Sequence, residues 1–378
     1  MTPLIVGLLA ASATPYAPRP DPHWKPAFPK GAHTFSAVGI AFAANNPNSA
    51  IVFVTQRGNA SIDPVLVLNA SDGSLLTSWG KSHVALTPSP PPRSWGAHGL
   101  SIEQCDTYPC GEGRISSFFR VWIEDFTGHT MRCFSATGRL LDSVGTPGIA
   151  GNGTSPIQFG NVADAAVVAG VAAPSSPPTP GTVYASDGDG GSANRVIAFE
   201  TPSNRVLWAT PAVYANPHSI ALHDASQLLV VADREHSQLR LLRARDGLDL
   251  GAWDACDLHF GSEGRPYGVR TLSRRAGDMA RRGSGGEGGA SRDYLFVASM
   301  DNPQDGRFQR ITVIDASGLS AAAGTRSPCK VVQTIPLDPA EYSGPHLLGV
   351  DRATGDLYAA LVADKPRSTV LRFKCVDC

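Results

Sequence analysis

The chain has 378 residues, a formal net charge of −1 and only 17% charged residues. This balance argues against a nucleic-acid or anionic-membrane partner, and no run of 18 apolar residues is present that could span a membrane. The 39 glycines and 30 prolines are typical of many short strands joined by turns, so the composition predicts a fold with almost no helix.

The N-terminal region predicts a secreted chain. Residues 1–13 include the apolar run LIVGLLAASA, which ends in an A-x-A pattern and is typical of a signal peptide. Residues 14–33 are proline-rich and irregular. Cys105 and Cys110 bracket a short loop, and a disulfide between them suits an oxidising compartment. Three N-x-[ST] sequons, which are also compatible with secretion, stand at Asn59, Asn69 and Asn152.

From residue 34 to residue 378 a single strand pattern recurs. Its first copy reads VGIAFA, AIVFVTQRG, PVLVLNASDG and SLLTSWG, which are four strand-like runs separated by turn residues. Six such units follow one another, and they predict an all-β fold, a six-bladed β-propeller that forms one domain. The last unit shows three strands, so we expect the N-terminal segment to supply the fourth strand and close the ring.

Two segments interrupt this period. Val84 to Trp95 is a proline-rich loop, and residues 273–292 have low complexity and are predicted to be disordered.

Three histidines stand at the same point of three units, where the chain enters the first strand. They are His98 in AHGLSI, His218 in PHSIAL and His346 in PHLLGV, with spacings of 120 and 128 residues. Equivalent positions of a closed ring converge on its axis, and three imidazoles with an open position form a catalytic zinc site. A single histidine before a strand is more often a capping or packing residue, so the prediction depends on all three together.

The chain resembles peptidyl-α-hydroxyglycine α-amidating lyase, a six-bladed propeller of NHL-like repeats. The resemblance is carried by HGLSI, VWIEDFTGH, YASDGDGGSANRVIAF and the stretch from NPHSIAL to VADRE. It implies that the three histidines bind zinc. It also implies that Arg57 of VTQRG and Arg234 of VADRE are catalytic residues, which hold the substrate carboxylate and stabilise developing negative charge.

The activity implied by the resemblance is cleavage of a carbon–nitrogen bond. The substrate is a peptide extended at its C-terminus by α-hydroxyglycine, and the products are a peptide amide and glyoxylate. We expect a secreted monomer that takes such peptides.

The sequence departs from the family at several positions. Asp189 stands where the family has a tyrosine held to transfer a proton. Leu347 replaces an aspartate that helps to hold a structural calcium, whose backbone carbonyl ligands map onto Phe35 and Leu100. Because calcium needs oxygen ligands, we expect it to bind weakly or not at all. The family's two disulfides are absent, since Gly190, among others, stands at a cysteine position.

These departures leave two questions open. The base could be Asp189, Tyr214, Tyr342 or a zinc-bound hydroxide. The function could be lyase activity, which retention of the histidines and Arg57 favours. The alternative is a non-catalytic NHL-like propeller that binds a peptide or protein, which loss of the tyrosine and of the calcium aspartate favours.

Overall fold

The computed structural model describes residues 18–42, 50–86, 94–105, 119–170, 179–253, 264–274, 292–300, 309–362 and 369–375. In chain order the strands are β1 (Pro18–Pro20), β2 (Phe35–Phe42), β3 (Ala50–Gln56), β4 (Val65–Asn69), β5 (Leu75–Trp79), β6 (Ala97–Gln104), β7 (Phe119–Asp125), β8 (Thr130–Phe134), β9 (Leu140–Val144), β10 (Val162–Val168), β11 (Gly181–Asp187), β12 (Arg195–Thr201), β13 (Val206–Ala209), β14 (Pro217–His223), β15 (Leu228–Asp233), β16 (Gln238–Arg243), β17 (Asp249–Ala252), β18 (Arg265–Arg274), β19 (Arg292–Met300), β20 (Gln309–Asp315), β21 (Lys330–Pro336), β22 (Gly344–Val350), β23 (Leu357–Val362) and β24 (Val370–Cys375).

These strands form six antiparallel sheets of four strands, which confirms the predicted six-bladed propeller. Blades 1 to 5 are β2–β5, β6–β9, β10–β13, β14–β17 and β18–β21. Blade 6 has the order β1-β24-β23-β22, so the N-terminal strand closes the ring as the sequence predicts. Helical structure among the described residues is limited to two single 3-10 turns, Arg234–His236 and Gly324–Arg326.

The first strand of each blade lies at the centre of the ring. Strands β2, β6, β10, β14, β18 and β22 contact one another in a closed circle around the axis. Apolar side chains fill the spaces between neighbouring sheets, as where Phe53 of blade 1 packs in one cluster with Val121 of blade 2. Burial between sheets therefore holds the blades together, while the inner strands present their ends to the central channel.

Each inner strand carries a β-bulge near its start, and the six bulges are equivalent. The register against the second strand shifts in all six blades, and the bulged residues are Ser36, His98, Ala163, His218, Tyr267 and His346, the last together with Leu347. A bulge leaves its extra residue outside the ladder and re-aims its side chain. The propeller thus has, around its axis, six equivalent bulges whose side chains are turned away from the regular strand pattern.

The predicted interruptions fall largely outside the described residues. Residues 1–17, which include the predicted signal peptide, and 275–291 lie outside them, as does Cys110. The predicted insert is too wide, because β18 extends to Arg274 and β19 begins at Arg292. The loop that begins at Val84 is joined at its base by a bridge between Leu86 and Trp95. Among the described residues, no helix is long and apolar enough to cross a membrane.

Candidate metal centre

The structure brings His98, His218 and His346 together on the axis of the propeller. Their candidate ligand nitrogens all lie within 4.8 Å of one another, and their ring centroids are 4.7–4.8 Å apart. All three side chains are buried. The upper limit of 4.8 Å lies somewhat above the roughly 3–4 Å that the tetrahedral geometry of zinc predicts for two ligands of one ion.

The histidines come from alternate blades, and the blades between them supply hydrogen-bond acceptors. Nδ1 of His98 lies 2.7 Å from the carbonyl oxygen of Ala163, that of His218 lies 2.7 Å from Tyr267 O, and that of His346 lies 2.7 Å from Ser36 O. Each acceptor is the bulged residue of the next blade, which lies outside the regular hydrogen bonding between strands, so its carbonyl is available to the histidine. The bulges thus position both the imidazole ring of each histidine and the backbone carbonyl that accepts its hydrogen bond.

These hydrogen bonds define the tautomer of each ring. A carbonyl can only accept, so Nδ1 carries a hydrogen, and in the neutral ring Nε2 keeps its lone pair. The Nε2 atom of His218 is buried without any hydrogen-bond partner. Buried polar atoms rarely lack a partner, and an unpartnered imidazole nitrogen among three histidines fits the role of a metal ligand. The outer hydrogen bond to a backbone carbonyl is also the usual support of a metal-binding histidine.

The lowered pKa values of His218 and His346 also suit a role as metal ligands. Burial lowers the pKa of His218 well below its ordinary value, with Arg234 adding to the effect. Burial likewise lowers the pKa of His346 well below its ordinary value, and His98 adds to it. Metal binding requires neutral imidazole, so neither ring has to lose a proton at neutral pH.

Asp189 lies in the β11–β12 loop, and its carboxylate meets the histidine cluster. Its Oδ2 is 3.0 Å from Nε2 of His98, and its Oδ1 is 3.0 Å from a guanidinium nitrogen of Arg234. Burial raises the pKa of Asp189, but His98, His218 and Arg234 together outweigh burial and hold this pKa well below the ordinary range. Asp189 is therefore a carboxylate at neutral pH.

Two side-chain contacts hold the Asp189 loop against the inner strands. Asn161 donates its side-chain amide to the carbonyl of Asp189 at 2.8 Å, and its own backbone N–H is bound by the carboxylate of Asp187 at 3.1 Å. Gly190 follows in the left-handed region at φ +70°, where a side chain is disfavoured. The loop conformation thus aims the Asp189 side chain at the axis.

The two predicted arginines differ in their partners. Arg234 is paired with Asp189 and with Glu235 at 2.9 Å, and it lies 5.0 Å from the ring centroid of Tyr267. The half-buried guanidinium of Arg57 stacks 4.5 Å from the ring centroid of Phe126, whose ring in turn contacts His98. No carboxylate of the described residues forms an ion pair with Arg57. Within the described part of the chain, the hydrogen-bond donors of the Arg57 guanidinium are therefore not occupied by an ion pair, although the charges of Asp189 and Asp125 act on it.

The structure separates the other predicted bases from the histidines. Tyr214 is buried in the apolar cluster between blades 3 and 4, and Tyr342 packs against the cluster between blades 5 and 6. Sequence reasoning missed Tyr267, whose ring centroid is 5.1 Å from that of His218 and 5.8 Å from that of His346. The sequence pattern could have identified Tyr267, because YGVRTL begins the first strand of its unit at the same place as PHSIAL does in the unit of His218.

The expected calcium site has an apolar neighbour. Phe35 and Leu100 are buried in β2 and β6, and Leu347 is fully buried in the apolar cluster that includes Leu100. Asp351, the nearest carboxylate along the chain, accepts hydrogen bonds from the N–H groups of its own turn, at Ala353 and Thr354. Among the described residues, the three histidines are the one group of three or more ligand-type side chains whose ligand atoms all lie close enough to hold a metal ion, and Asp189 adjoins this group at His98.

Fold and site together define a six-bladed β-propeller with a three-histidine cluster on its axis. The chain is 31% identical over 348 residues to mouse (Mus musculus) "NHL repeat-containing protein 3", covering 89% of this chain and 80% of that protein. It is 30% identical over 350 residues to the human (Homo sapiens) protein of the same name, again covering 89% and 80%. The chain therefore belongs to the family of NHL repeat-containing proteins.

Two further comparisons add little. No protein-family model matches the chain. A solved structure described as "Crystal structure of BBS1N in complex with ARL6DN, soaked with lead" shares 10% identity with it, at a TM-score of 0.45 over 90% of this chain and 78% of that chain. That score is too low to support an argument.

Proposed function

We propose that this propeller is a zinc-dependent carbon–nitrogen lyase that converts peptidyl-α-hydroxyglycine into a peptide amide and glyoxylate. The observation that carries the proposal is the convergence of His98, His218 and His346, with each Nδ1 committed to a carbonyl. When bound by three imidazoles, zinc supplies a Lewis acid that polarises a substrate oxygen. The orphaned nitrogen of His218 and the lowered pKa values of His218 and His346 fit that ion.

Arg57 is the residue best placed to hold the substrate carboxylate. Its guanidinium has no carboxylate partner among the described residues and lies beside Phe126, which contacts His98. A guanidinium binds a carboxylate with two parallel hydrogen bonds, which fixes the orientation of the α-carbon. Arg234 is already neutralised by Asp189 and Glu235, so its part is to position Asp189.

Proton transfer falls to Asp189, since it alone among the proposed side-chain bases reaches the histidines. It accepts the hydroxyl proton of the substrate as the carbon–nitrogen bond breaks and the aldehyde forms, and it returns that proton to the departing amide nitrogen, so that no proton is gained or lost overall. A carboxylate with a depressed pKa is a weak base, so the proton-transfer contribution, typically about 10²–10⁴-fold, is smaller here than with a matched base. We expect Asp189→Tyr to raise the rate.

Glyoxylate release from α-hydroxyhippurate by zinc-loaded protein tests the proposal. Arg57→Ala should lower the rate while the zinc content stays at the wild-type value, because the change removes charge and no ligand. Arg205→Ala is the matched control, since Arg205 is an exposed arginine paired with Glu200 on the outside of blade 3. If the wild type and Asp189→Tyr both release no glyoxylate above the buffer rate, the lyase proposal is wrong.

A second function, binding of a peptide or protein without catalysis, is favoured by one observation. Asp189, Arg234, Glu235 and Arg265 form a continuous chain of ion pairs beside the histidines. These charges neutralise one another, as in a structural network, and within the described part of the chain Arg57 is outside this network of ion pairs. Retained zinc without glyoxylate release would support this function.

We further propose that the chain is a secreted monomer. Cys105, Cys329 and Cys375 are each disulfide-bonded, and disulfides persist in oxidising compartments. Cys133 is buried as a free thiol, which accords with an odd cysteine count. Secretion and glycosylation of the expressed chain, with the mass measured before and after glycosidase treatment, test this proposal.

A further inference from the structure

We propose that Asp189 is the fourth protein ligand of the metal ion, so that the resting centre has three imidazoles and one carboxylate. This inference rests on the metal site of the proposed function and not on lyase activity. It concerns the position that the three histidines leave open. In a catalytic zinc site that position holds a water or a substrate, whereas a fourth protein ligand closes it.

Distance is the first argument. Oδ2 of Asp189 lies 3.0 Å from Nε2 of His98, which is the nitrogen that faces the cluster. Two ligands on one tetrahedral zinc, with bonds of about 2.0–2.1 Å, lie roughly 3.3 Å apart. The oxygen and the nitrogen are thus already close to the separation of two ligands of one ion. The histidine nitrogens, up to 4.8 Å apart, have further to move.

Hydrogen bonding gives the second argument. Nδ1 of His98 donates to Ala163 O, so a hydrogen bond from Nε2 to Asp189 requires a second hydrogen on the same ring. A metal ion between Nε2 and Oδ2 takes the place of that hydrogen and leaves both groups satisfied. An ion held by the three histidines would also give a partner to Nε2 of His218, which otherwise has none.

Charge is the third argument. A divalent ion held by three neutral imidazoles keeps its full charge of +2, and it would lie near the guanidinium groups of Arg57 and Arg234. Buried like charges repel strongly, so the site needs an anion. Asp189 is that anion, and Arg234 binds its Oδ1 at 3.0 Å, which orients Oδ2 towards the histidines. Outer partners that bind one carboxylate oxygen commonly orient the other towards a metal.

Closure of the site has a consequence for turnover. While Asp189 binds the ion, it cannot accept a proton, and the metal has no position for a substrate oxygen. A substrate must first displace the carboxylate. Its own carboxylate can then bind Arg57, which has no carboxylate partner among the described residues. The resting protein is therefore expected to hold zinc tightly and to turn over slowly.

Metal binding by the full chain tests the inference without an activity assay. Zinc affinity is measured by competition with a chromophoric chelator for the wild type, Asp189→Asn and Glu235→Gln. Glu235→Gln is the matched control, because it also removes a carboxylate partner of Arg234 but one that does not reach the histidines. Loss of an outer-shell partner costs about 10–100-fold in metal affinity, so loss of a ligand should weaken zinc binding of Asp189→Asn by at least that factor.

Cobalt substitution reports the open position directly. The visible bands of bound Co²⁺ should not change when azide is added to the wild type or to Glu235→Gln, since no position is free. They should change in Asp189→Asn, where azide can bind. Equal zinc affinity of wild type and Asp189→Asn, or an azide response in the wild type, overturns the fourth-ligand inference and leaves the lyase proposal standing. A wild-type chain that binds no zinc overturns both.

Discussion

A buried ion pair next to the metal centre offers the sharpest test of the fold. Arg270 of blade 5 reaches Asp164 of blade 3 with two hydrogen bonds, at 2.6 and 2.9 Å, and Ser219 of blade 4 donates to the same carboxylate at 2.5 Å. The Asp164 side chain is fully buried, and that of Arg270 is 16% exposed. Arg270→Met therefore leaves a buried carboxylate without its cation.

The expected cost follows from that burial. Removing one partner of a buried ion pair costs about 3–5 kcal/mol, because the other charge stays desolvated. Unfolding entropy of about 2.1 cal/mol/K per residue gives roughly 0.8 kcal/mol/K for this chain, so the melting temperature should fall by about 4–6 °C. Calorimetry at neutral pH measures the shift.

Two comparisons make the result decisive. Arg205→Met breaks an exposed pair, worth about 0–1 kcal/mol, and should shift the melting temperature by about 1 °C or less. The double variant Arg270→Met with Asp164→Leu removes both charges and should recover most of the loss, since apolar replacement of a buried pair is often neutral. If Arg270→Met melts within about 1 °C of wild type, water reaches Asp164 and the description of a buried ion pair between Arg270 and Asp164 is wrong.

Three further predictions concern the histidines, a buried acid and calcium. His218→Ala should lose bound zinc and glyoxylate release, whereas the exposed His23→Ala should keep both, as metal analysis and the glyoxylate assay would show; zinc retained by His218→Ala would contradict the three-histidine site. Burial raises the pKa of Glu124 well above its ordinary value of 4.5. Above pH 4.5 the carboxyl group of Glu124 therefore loses its proton in the unfolded chain but keeps it in the folded chain, so the free energy of unfolding falls as pH rises. Glu124→Gln should therefore be more stable than wild type at neutral pH, by up to about 1.4 kcal/mol per pH unit above 4.5, with no gain below it; an unfolding curve with the same pH dependence as wild type would exclude this. Calcium should be absent after gel filtration because Leu347 is apolar and fully buried, and one calcium per chain by metal analysis would refute this.

Local repetition in the sequence was sufficient to predict the blades. Strand runs separated by turns recur six times, and each hydrophobic run fits a sheet buried on both sides. The three strands of the last unit predicted that the N-terminal segment closes the ring, and β1 pairs with β24 accordingly. The equivalent places of His98, His218 and His346 in their units predicted their convergence, because equivalent positions of a ring share its axis.

The details of the site depended on contacts between blades, which no local pattern encodes. Each histidine is fixed by a carbonyl of a different blade, 49 to 310 residues away, and each carbonyl is free because its strand bulges. A bulge is one extra residue in a strand, and the periodicity of a single strand does not reveal where its partner strand will accommodate it.

The contacts of Asp189 could likewise not be predicted from local sequence patterns. It lies in the loop between β11 and β12, and its neighbours along the chain do not show what its carboxylate contacts. Only the closed ring brings its carboxylate to His98 of blade 2 and Arg234 of blade 4. The sequence alone thus determined the repeat, the strand order and the residues that face the axis. The tertiary structure decided which of those residues meet and what charge each one encounters, because burial and long-range electrostatics arise only when all six blades have closed.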